Sequence, residues 1–497
     1  MRTTIKIVIL LFFICTSMSG TSSPDMEKYM RQHALIWEQL PMQWNEGAFL
    51  GNGLVGMMVY ADSTLNALVF HLGRPDVTDH RKAPYRKTSI GTEEADKMVD
   101  FCRLDIGKML LFPEGKILSG TFYLDIYNAE LTGHLKTDKG DLTFHAYTPQ
   151  PEEVNIVEVS SGIPYRWKGI PGNPCSPRIR VFPHLKEKLK YKDNPVPVVN
   201  QKDKEGSWVQ SLLAGGDYAT YWKEVPDGKS RSVLYISTAN EVPASSLSLA
   251  KAIKTVEAAQ ITGTKLLKQK TRQWWNAYHE RSFLSIPDKK LENFYFIQMY
   301  KLATCSHPDG PAMDVMGTFF KLSPWPSFWW NLNIQLTYMP IGPANRMEQG
   351  KNFQRLMDEV FPSLVRSIEP CKIGDYTWAL QNYYMYLRYA GADWQDIKQQ
   401  VVPKALDAFA VFDKILCYKE NTWHLTHIES PEYEGFQKYN DSNYGLASLS
   451  WLLQTLIACH DRTSSTHPDY ARWKEILTRL APYPTNENGL MLSLIHI

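Results

Sequence analysis

The residues of this chain best suited to chemistry are two asparagines and a group of carboxylates. Asn331 and Asn333 stand two apart, directly behind Trp329 and Trp330, in the stretch WPSFWWNLNIQLTYMPIGPAN that runs from Trp325 to Asn345. Further along comes the run His427-Ile428-Glu429-Ser430-Pro431-Glu432. Aromatic faces can hold a sugar ring, and amides and carboxylates can orient a water and move a proton, so the set suits cleavage of a glycosidic bond. The same residues also read as a tryptophan-rich core helix with two incidental amides, because aromatic stripes at helical spacing usually mean core. Consecutive tryptophans on a helix cannot both face one sugar, so one of Trp329 and Trp330 is expected in the core. Residues two apart on a regular helix diverge by about 200°. For both asparagines to reach one water, the segment between Trp330 and Pro340 has to be irregular or extended.

The elements that must position these groups fall into two regimes. From about residue 30 to 240 the pattern is β. Leu54–Tyr60 and Leu65–Leu72 read as two strands, and Leu131–Lys136 and Leu142–Tyr147 alternate around Asp138-Lys139-Gly140-Asp141, a hairpin signal. Val233–Ser237 is a further β-branched run, and the proline- and lysine-rich stretch from Pro174 to Asp203 reads as a long surface loop. Many strands at short spacing predict a large antiparallel sandwich. The period then turns helical over Ala250–His279 and Leu291–Cys305. Helix pairs follow at Gly350–Val360, Tyr376–Tyr389, Val402–Leu416, Ser442–His460 and Tyr470–Leu480, with Pro403 and Gly391 as start and stop residues. The predicted fold class is therefore multidomain β plus α: a leader over residues 1–20, an N-terminal antiparallel β-sandwich over 28–245, a helical linker over 246–290, and a partial (α/α)6 barrel over 291–497. A full twelve-helix toroid needs about 300–360 residues at ordinary helix and loop lengths, and 197 follow Tyr300. The closing string MLSLIHI carries no cap and no polar tail, and reads as a truncated or fused end.

The bulk numbers narrow the partners. A chain of 497 residues with 44% hydrophobic and 21% charged residues is a folded protein with a sizeable core. Arg2 and Lys6 precede the apolar run Ile7–Ile14, with Ser17, Ser19 and Gly20 behind it, as in a secretory signal peptide too short to remain as a membrane span. Export to the periplasm or the medium is expected. Lipidation at Cys15 is disfavoured by the bulky Phe13 and Ile14. Setting the two leader cations aside, the 54 Lys and Arg come level with the 52 Asp and Glu, which removes any electrostatic reason to seek nucleic acid or an anionic membrane. The 15 tryptophans exceed what packing alone usually asks for. Cys102, Cys175, Cys305, Cys371, Cys417 and Cys459 are scattered without a C-x-x-C pair, so no metal site and no cofactor are expected. Disulfide pairing and oligomeric state stay open. The expected partner is an oligosaccharide or glycoconjugate.

Three pieces together resemble glycoside hydrolase family 95, the α-L-fucosidases and α-L-galactosidases. Trp44-Asn45-Glu46-Gly47 followed by Leu50-Gly51-Asn52-Gly53-Leu54-Val55-Gly56 is similar to the family's opening motif. Asn331-Leu332-Asn333-Ile334-Gln335 with Tyr338 and Pro340 resembles its N-I-N-x-Q-x-x-Y-W-P run, and Ser430-Pro431-Glu432 its S-P-E motif. The likeness spans residues 37–450. Met339 stands where the family usually has Trp, and Thr337 where it often has Asn, so the accepted sugar is open. The resemblance implies hydrolysis with inversion, in which an acid protonates the leaving oxygen while a base activates water from the opposite face. It assigns Glu432 as general acid, Asn333 as water activator and Asn331 as the residue that helps hold the water. It also implies that an aspartate polarises the amide, one that the family carries far downstream.

Other readings stay beside these. Glu432 also reads as a helix-start carboxylate, and Glu429 is a competing acid. Trp329, Trp330, His427 and Glu429 are the candidate substrate-binding residues, with His427 and His424 read as hydrogen-bonding wall residues. Asp441 reads as the N-cap of the helix from Ser442. The glycines from Gly51 to Gly56 lack the lysine of a phosphate loop and are read as letting a tight turn approach the barrel. The alternatives to the hydrolase are another α/α-barrel glycosidase or phosphorylase, and a carbohydrate-binding protein without catalysis.

Overall fold

Apolar residues at every second position build the first half of the molecule. In Ile117–Asp125 and Asp141–Tyr147 buried and exposed residues alternate, so each strand offers one face to a core and one to solvent. The structure, a computed structural model, describes residues 25–81, 97–242, 247–429, 437–485 and 488. The expected leader lies outside them. One antiparallel sheet has nine strands: Leu35–Trp37 at one edge, then Ile117–Asp125, Glu130–Thr137, Asp141–Tyr147, Val154–Ser161, Arg231–Glu241, Asp217–Pro226 and Glu205–Ser211, with Val198–Gln201 at the other edge. A second antiparallel sheet has five, in the order Tyr165–Ile170, Lys108–Pro113, Ala67–Gly73, Gly56–Asp62 and Ala48–Gly51. Met57, Phe70 and Leu111 of the smaller sheet share one core with Phe122, Phe144 and Leu234 of the larger. Phe70 meets Phe144 edge to face with ring centroids 5.5 Å apart. The hairpin read around Asp138–Asp141 forms, with Leu135 opposite Leu142.

Between Pro174 and Asp203 the structure corrects the sequence reading. Short helices form at Pro177–Val181 and Leu185–Lys188, and the strand Val198–Gln201 closes the large sheet. Ile179, Leu185 and Tyr191 pack with Val99 into a small core of their own. Prolines masked the periodicity there because the helices are barely a turn long.

The helical pattern read over Ala250–His279 is two helices, Ser248–Thr262 and Thr264–Glu280. Gly263 divides them at φ 79°, a left-handed conformation that glycine adopts without penalty. The first of them lies against the outer face of the nine-stranded sheet, where Val256 and Ala259 meet Tyr235 and Ile156. Lys289–Cys305 follows, N-capped by Asp288, whose carboxylate accepts from the amides of Lys290 and Leu291. Its residues divide between two cores: Phe296, Tyr300 and Ala303 pack into the sandwich, and Met299, Leu302 and Cys305 into the helical half.

In that second half Ile373–Tyr389 is central. It packs against Asn333–Tyr338, Lys351–Glu359, Val402–Phe412 and Asn443–Thr463. Trp394–Gln400, which the periodicity did not announce, is held by a capping box between Asp393 and Asp396. The expected helix over Val402–Leu416 stops at Phe412, and Leu416–Lys419 pairs instead with Thr422–Leu425 as a hairpin. The architecture is a β-sheet N-terminal region joined to a helical C-terminal region.

Candidate active site

The segment carrying the asparagine pair is irregular, as the chemistry required. Residues 325–332 form no helix, and Asn333 opens the short helix Asn333–Tyr338. Leu332 between the asparagines has φ 59° and ψ −53°, and the Asn333 amide donates to the Asn331 carbonyl at 2.6 Å. That is the tight three-residue turn that side-chain-bearing residues rarely adopt, and backbone strain of this kind clusters at functional sites. The turn sends the two amides different ways. Asn331 is 2% exposed and donates through Nδ2 to Asp375 Oδ1 at 2.7 Å. Asn333 is exposed.

Asp375 lies in the first turn of Ile373–Tyr389, where the helix dipole favours an anion. Its Oδ1 also accepts from the Tyr444 hydroxyl at 2.6 Å, and its carbonyl accepts from Gln335 Nε2 at 2.9 Å. Burial raises its pKa above the ordinary aspartate value, against the lowering effect of the two hydrogen bonds and Lys372. Glu429, on the two-residue strand Ile428–Glu429 paired with Lys438–Tyr439, is pushed up to about 7. Burial is the main cause, Asp375 adds to it, and Lys372 and Lys438 oppose it. A carboxyl group of that kind keeps its proton near neutral pH and can give it away, the property a general acid needs.

Glu432 lies outside the described residues, three positions beyond Glu429. His427 is exposed at φ 56°, with its backbone amide on Asn440 Oδ1. His424 Nδ1 lies 2.6 Å from Asp441 Oδ2, and Asp441 Oδ1 also accepts from the Leu425 amide. Asp441 is thus not the cap of the following helix. Ser442 fills that place, accepting from the Gly445 amide, because Asp441 is already committed to the preceding strand.

Both tryptophans are interior, where only one was expected in the core and the other facing the sugar. Trp330 is fully buried and stacks on Tyr376 with centroids 5.1 Å apart, and Trp329, 4% exposed, meets Trp325 edge to face. Their work is to anchor the turn beside Asp375. Partly exposed aromatics stand elsewhere. Trp378, Tyr444 and Trp451, with Thr377 and Gln381, line a cleft of about 270 Å³ between Ile373–Tyr389 and Asn443–Thr463. Tyr444 belongs both to this cleft and to the Asp375 hydrogen-bond set.

Asp375, Tyr444, Trp378 and Trp451 were not singled out from sequence. An acidic residue in a first helical turn reads as an ordinary dipole partner. The spacing of Tyr444 and Trp451, seven apart on one helix, was the available signal for the cleft.

The opening motif is structural. Asn52 is buried, with Nδ2 on the carbonyls of Pro149 and Glu152 and Oδ1 accepting from the amides of Leu54 and Val55. Gly53, at φ 82°, lies so close to the end of Lys289–Cys305 that a Cβ there would sit 2.3 Å from the Ser306 carbonyl carbon. The glycine run lets a tight turn seat against the helical half, as read from sequence. Among the described residues no group of three or more His, Cys, Asp and Glu could hold a metal ion, no helix is long and apolar enough to cross a membrane, and all six cysteines are free.

No protein-family model matches the chain, and no curated protein matches its sequence. Solved structures do. A protein assigned as a kojibiose phosphorylase from the human microbiome aligns over 92% of this chain and 71% of its own, with a TM-score of 0.62 and 10% identity. A bacterial glucoamylase complexed with acarbose aligns over 90% of this chain and 69% of its own, at a TM-score of 0.46 and 9% identity. At such identities the first likeness speaks for the fold alone, a β-sheet region followed by a helical region.

Proposed function

We propose that this chain is an exported glycoside hydrolase that cleaves α-L-fucosyl or related α-L-galactosyl linkages in oligosaccharides with inversion. The observation that carries the reading is the Asn331–Asp375 pair. An amide whose N–H bonds a buried carboxylate gains electron density on its oxygen, and that oxygen can then hold a bound water more firmly. Asp375 is a positioning residue in this scheme, acting through Asn331 and supplying the polarisation that the family resemblance looks for further along the chain. Asn333 is the partner that the resemblance makes the water activator. The acid comes from the segment that holds Glu429 and Glu432. Trp378 and Trp451 offer the sugar platform, since the motif tryptophans are interior. The sandwich-plus-helix fold supports a carbohydrate-active enzyme in general, and the three sequence motifs support the fucosyl assignment. The helical half is read as part of an (α/α)6 barrel.

The test is a panel of aryl α-L-fucosides, α-L-galactosides and other aryl glycosides, assayed with and without inorganic phosphate, with the released anomer followed by NMR. Turnover independent of phosphate and inversion at the anomeric carbon are expected. Asp375→Asn should lower kcat by about 10²–10⁴ with KM little changed, because the loss falls on the transition state. Turnover that needs phosphate would make the protein a phosphorylase. An unaffected Asp375→Asn variant, or no turnover on any member of the panel, would sink the reading.

A further inference from the structure

A second cavity lies beside the helix that Asn333 opens; Trp44, Thr337 and Pro340 of the sequence motifs line it, and the proposed chemistry does not use it. It has a volume of about 510 Å³, within the roughly 300–1,000 Å³ usual for small-ligand sites. Its walls come from both halves of the molecule: Trp44 from the sandwich, Gln298 and Lys301 from the helix Lys289–Cys305, Leu336 and Thr337 from the helix that Asn333 opens, and Pro340 from the turn after it. Asn333, Leu336 and Thr337 follow the spacing of one helical face. The wall therefore begins about one helical turn, roughly 5.4 Å, from Asn333.

Its charge is one-sided. Lys301 and Lys321 are both exposed and line it. Lys321 is steadied by Trp44, with Nζ 5.4 Å from the ring centroid. The carboxylate in the wall, Asp314, is neutralised from behind by Arg103 Nη1 at 3.1 Å. Arg103 is 1% exposed and is fixed further by the carbonyls of Gly317 and Thr318. With Asp314 offset, two ammonium groups share the lining with the apolar side chains of Met299, Leu302 and Phe319. A neutral sugar leaves those charges unused. A ring with an apolar face and an anionic substituent uses both parts.

Resting on the hydrolase reading for the sugar itself, we propose that this cavity is a subsite for a sugar residue bearing an anionic group, a carboxylate or a sulfate ester, next to the residue being cleaved. The substrate class then becomes acidic fucosylated glycans.

Calorimetric titration of the 497-residue chain with methyl glucuronide, glucose 6-sulfate and methyl glucoside tests this. The charged sugars are expected to bind at least about tenfold more tightly than the neutral one. That margin should shrink as salt rises to roughly 0.5 M. It should vanish in the Lys301→Gln, Lys321→Gln double variant, while Lys321→Arg keeps it. A preference for one of the two charged probes tells which anion the site takes. Equal affinity for charged and neutral sugars, no binding of any probe, or a preference that survives the double variant would each overturn the proposal. Asp375→Asn separates the two readings: it should lower turnover by about 10²–10⁴ and leave the anion preference unchanged. Loss of the preference in an Asp375→Asn chain that still melts like the wild type would place the anion at the asparagine site instead and also overturn it.

Discussion

At the scale of single residues the decisive quantity is the protonation of Glu429. Its pKa is moved from the ordinary 4.5 to about 7 because ionisation costs solvation beside Asp375. A carboxyl group whose folded pKa lies above its unfolded one contributes stability that is fully present below the unfolded value and is lost as pH rises through the folded value. Between about pH 4.5 and 7 the wild-type melting temperature should therefore fall relative to Glu429→Gln, and above that window the difference should stay constant. Parallel melting curves across this range would show that Glu429 ionises freely. The same group decides between the two candidate acids. If Glu429 is the acid, Glu429→Gln should slow poor leaving groups by about 10²–10⁴ and activated ones far less, whereas Glu432→Gln should show that pattern if the S-P-E glutamate holds the role. Much of this was legible from residue types alone: the N-x-N pair and its need for a broken helix. The partner Asp375 was not, because a hydrogen bond across 44 positions has no local signature. Nor was the burial of Trp329, since exposure depends on what packs above a residue rather than on its own type.

Elements were easier to read than their ends. Strands with alternating burial and helices of several turns, such as Asn443–Thr463, stood out because their periodicity repeats. Trp394–Gln400 and the two helices after Pro174 span too few turns to build such a signal. The hairpin after Phe412 was hidden because Leu416, one helical turn on from Phe412, continues the apolar spacing of the helix before it. The glycine run was read correctly, since only a residue without a side chain suits so close an approach. Gly53→Ala tests that element. It puts a Cβ on a left-handed backbone and against the Ser306 main chain. A loss of about 1–3 kcal/mol in denaturant unfolding is expected. A change below about 0.5 kcal/mol, the range of surface substitutions, would show that the turn does not seat as described.

At the scale of the whole molecule the helix Lys289–Cys305 ties the two halves together, because its opposite faces belong to different cores. Phe296→Ala empties a site in the sandwich and Met299→Ala one in the helical core, with expected costs of about 2–5 kcal/mol each. Both should lower the same calorimetric transition. Two separate transitions, each moved by one variant, would mean that the halves melt independently. The nine-stranded sheet also has an outcome beyond the fold. Its last strand, Val198–Gln201, pairs on one side with Glu205–Ser211, and Val196, Val198 and Val199 stand exposed along it. Among the described residues no further strand pairs with its outer side, and a sheet edge beside a row of valines is a template for a foreign strand that many proteins guard with charge. In concentrated solution the molecule should stick to itself along that border. Light scattering that grows with concentration in the wild type, and is suppressed in Val198→Lys, would mark it as the place where solubility is decided.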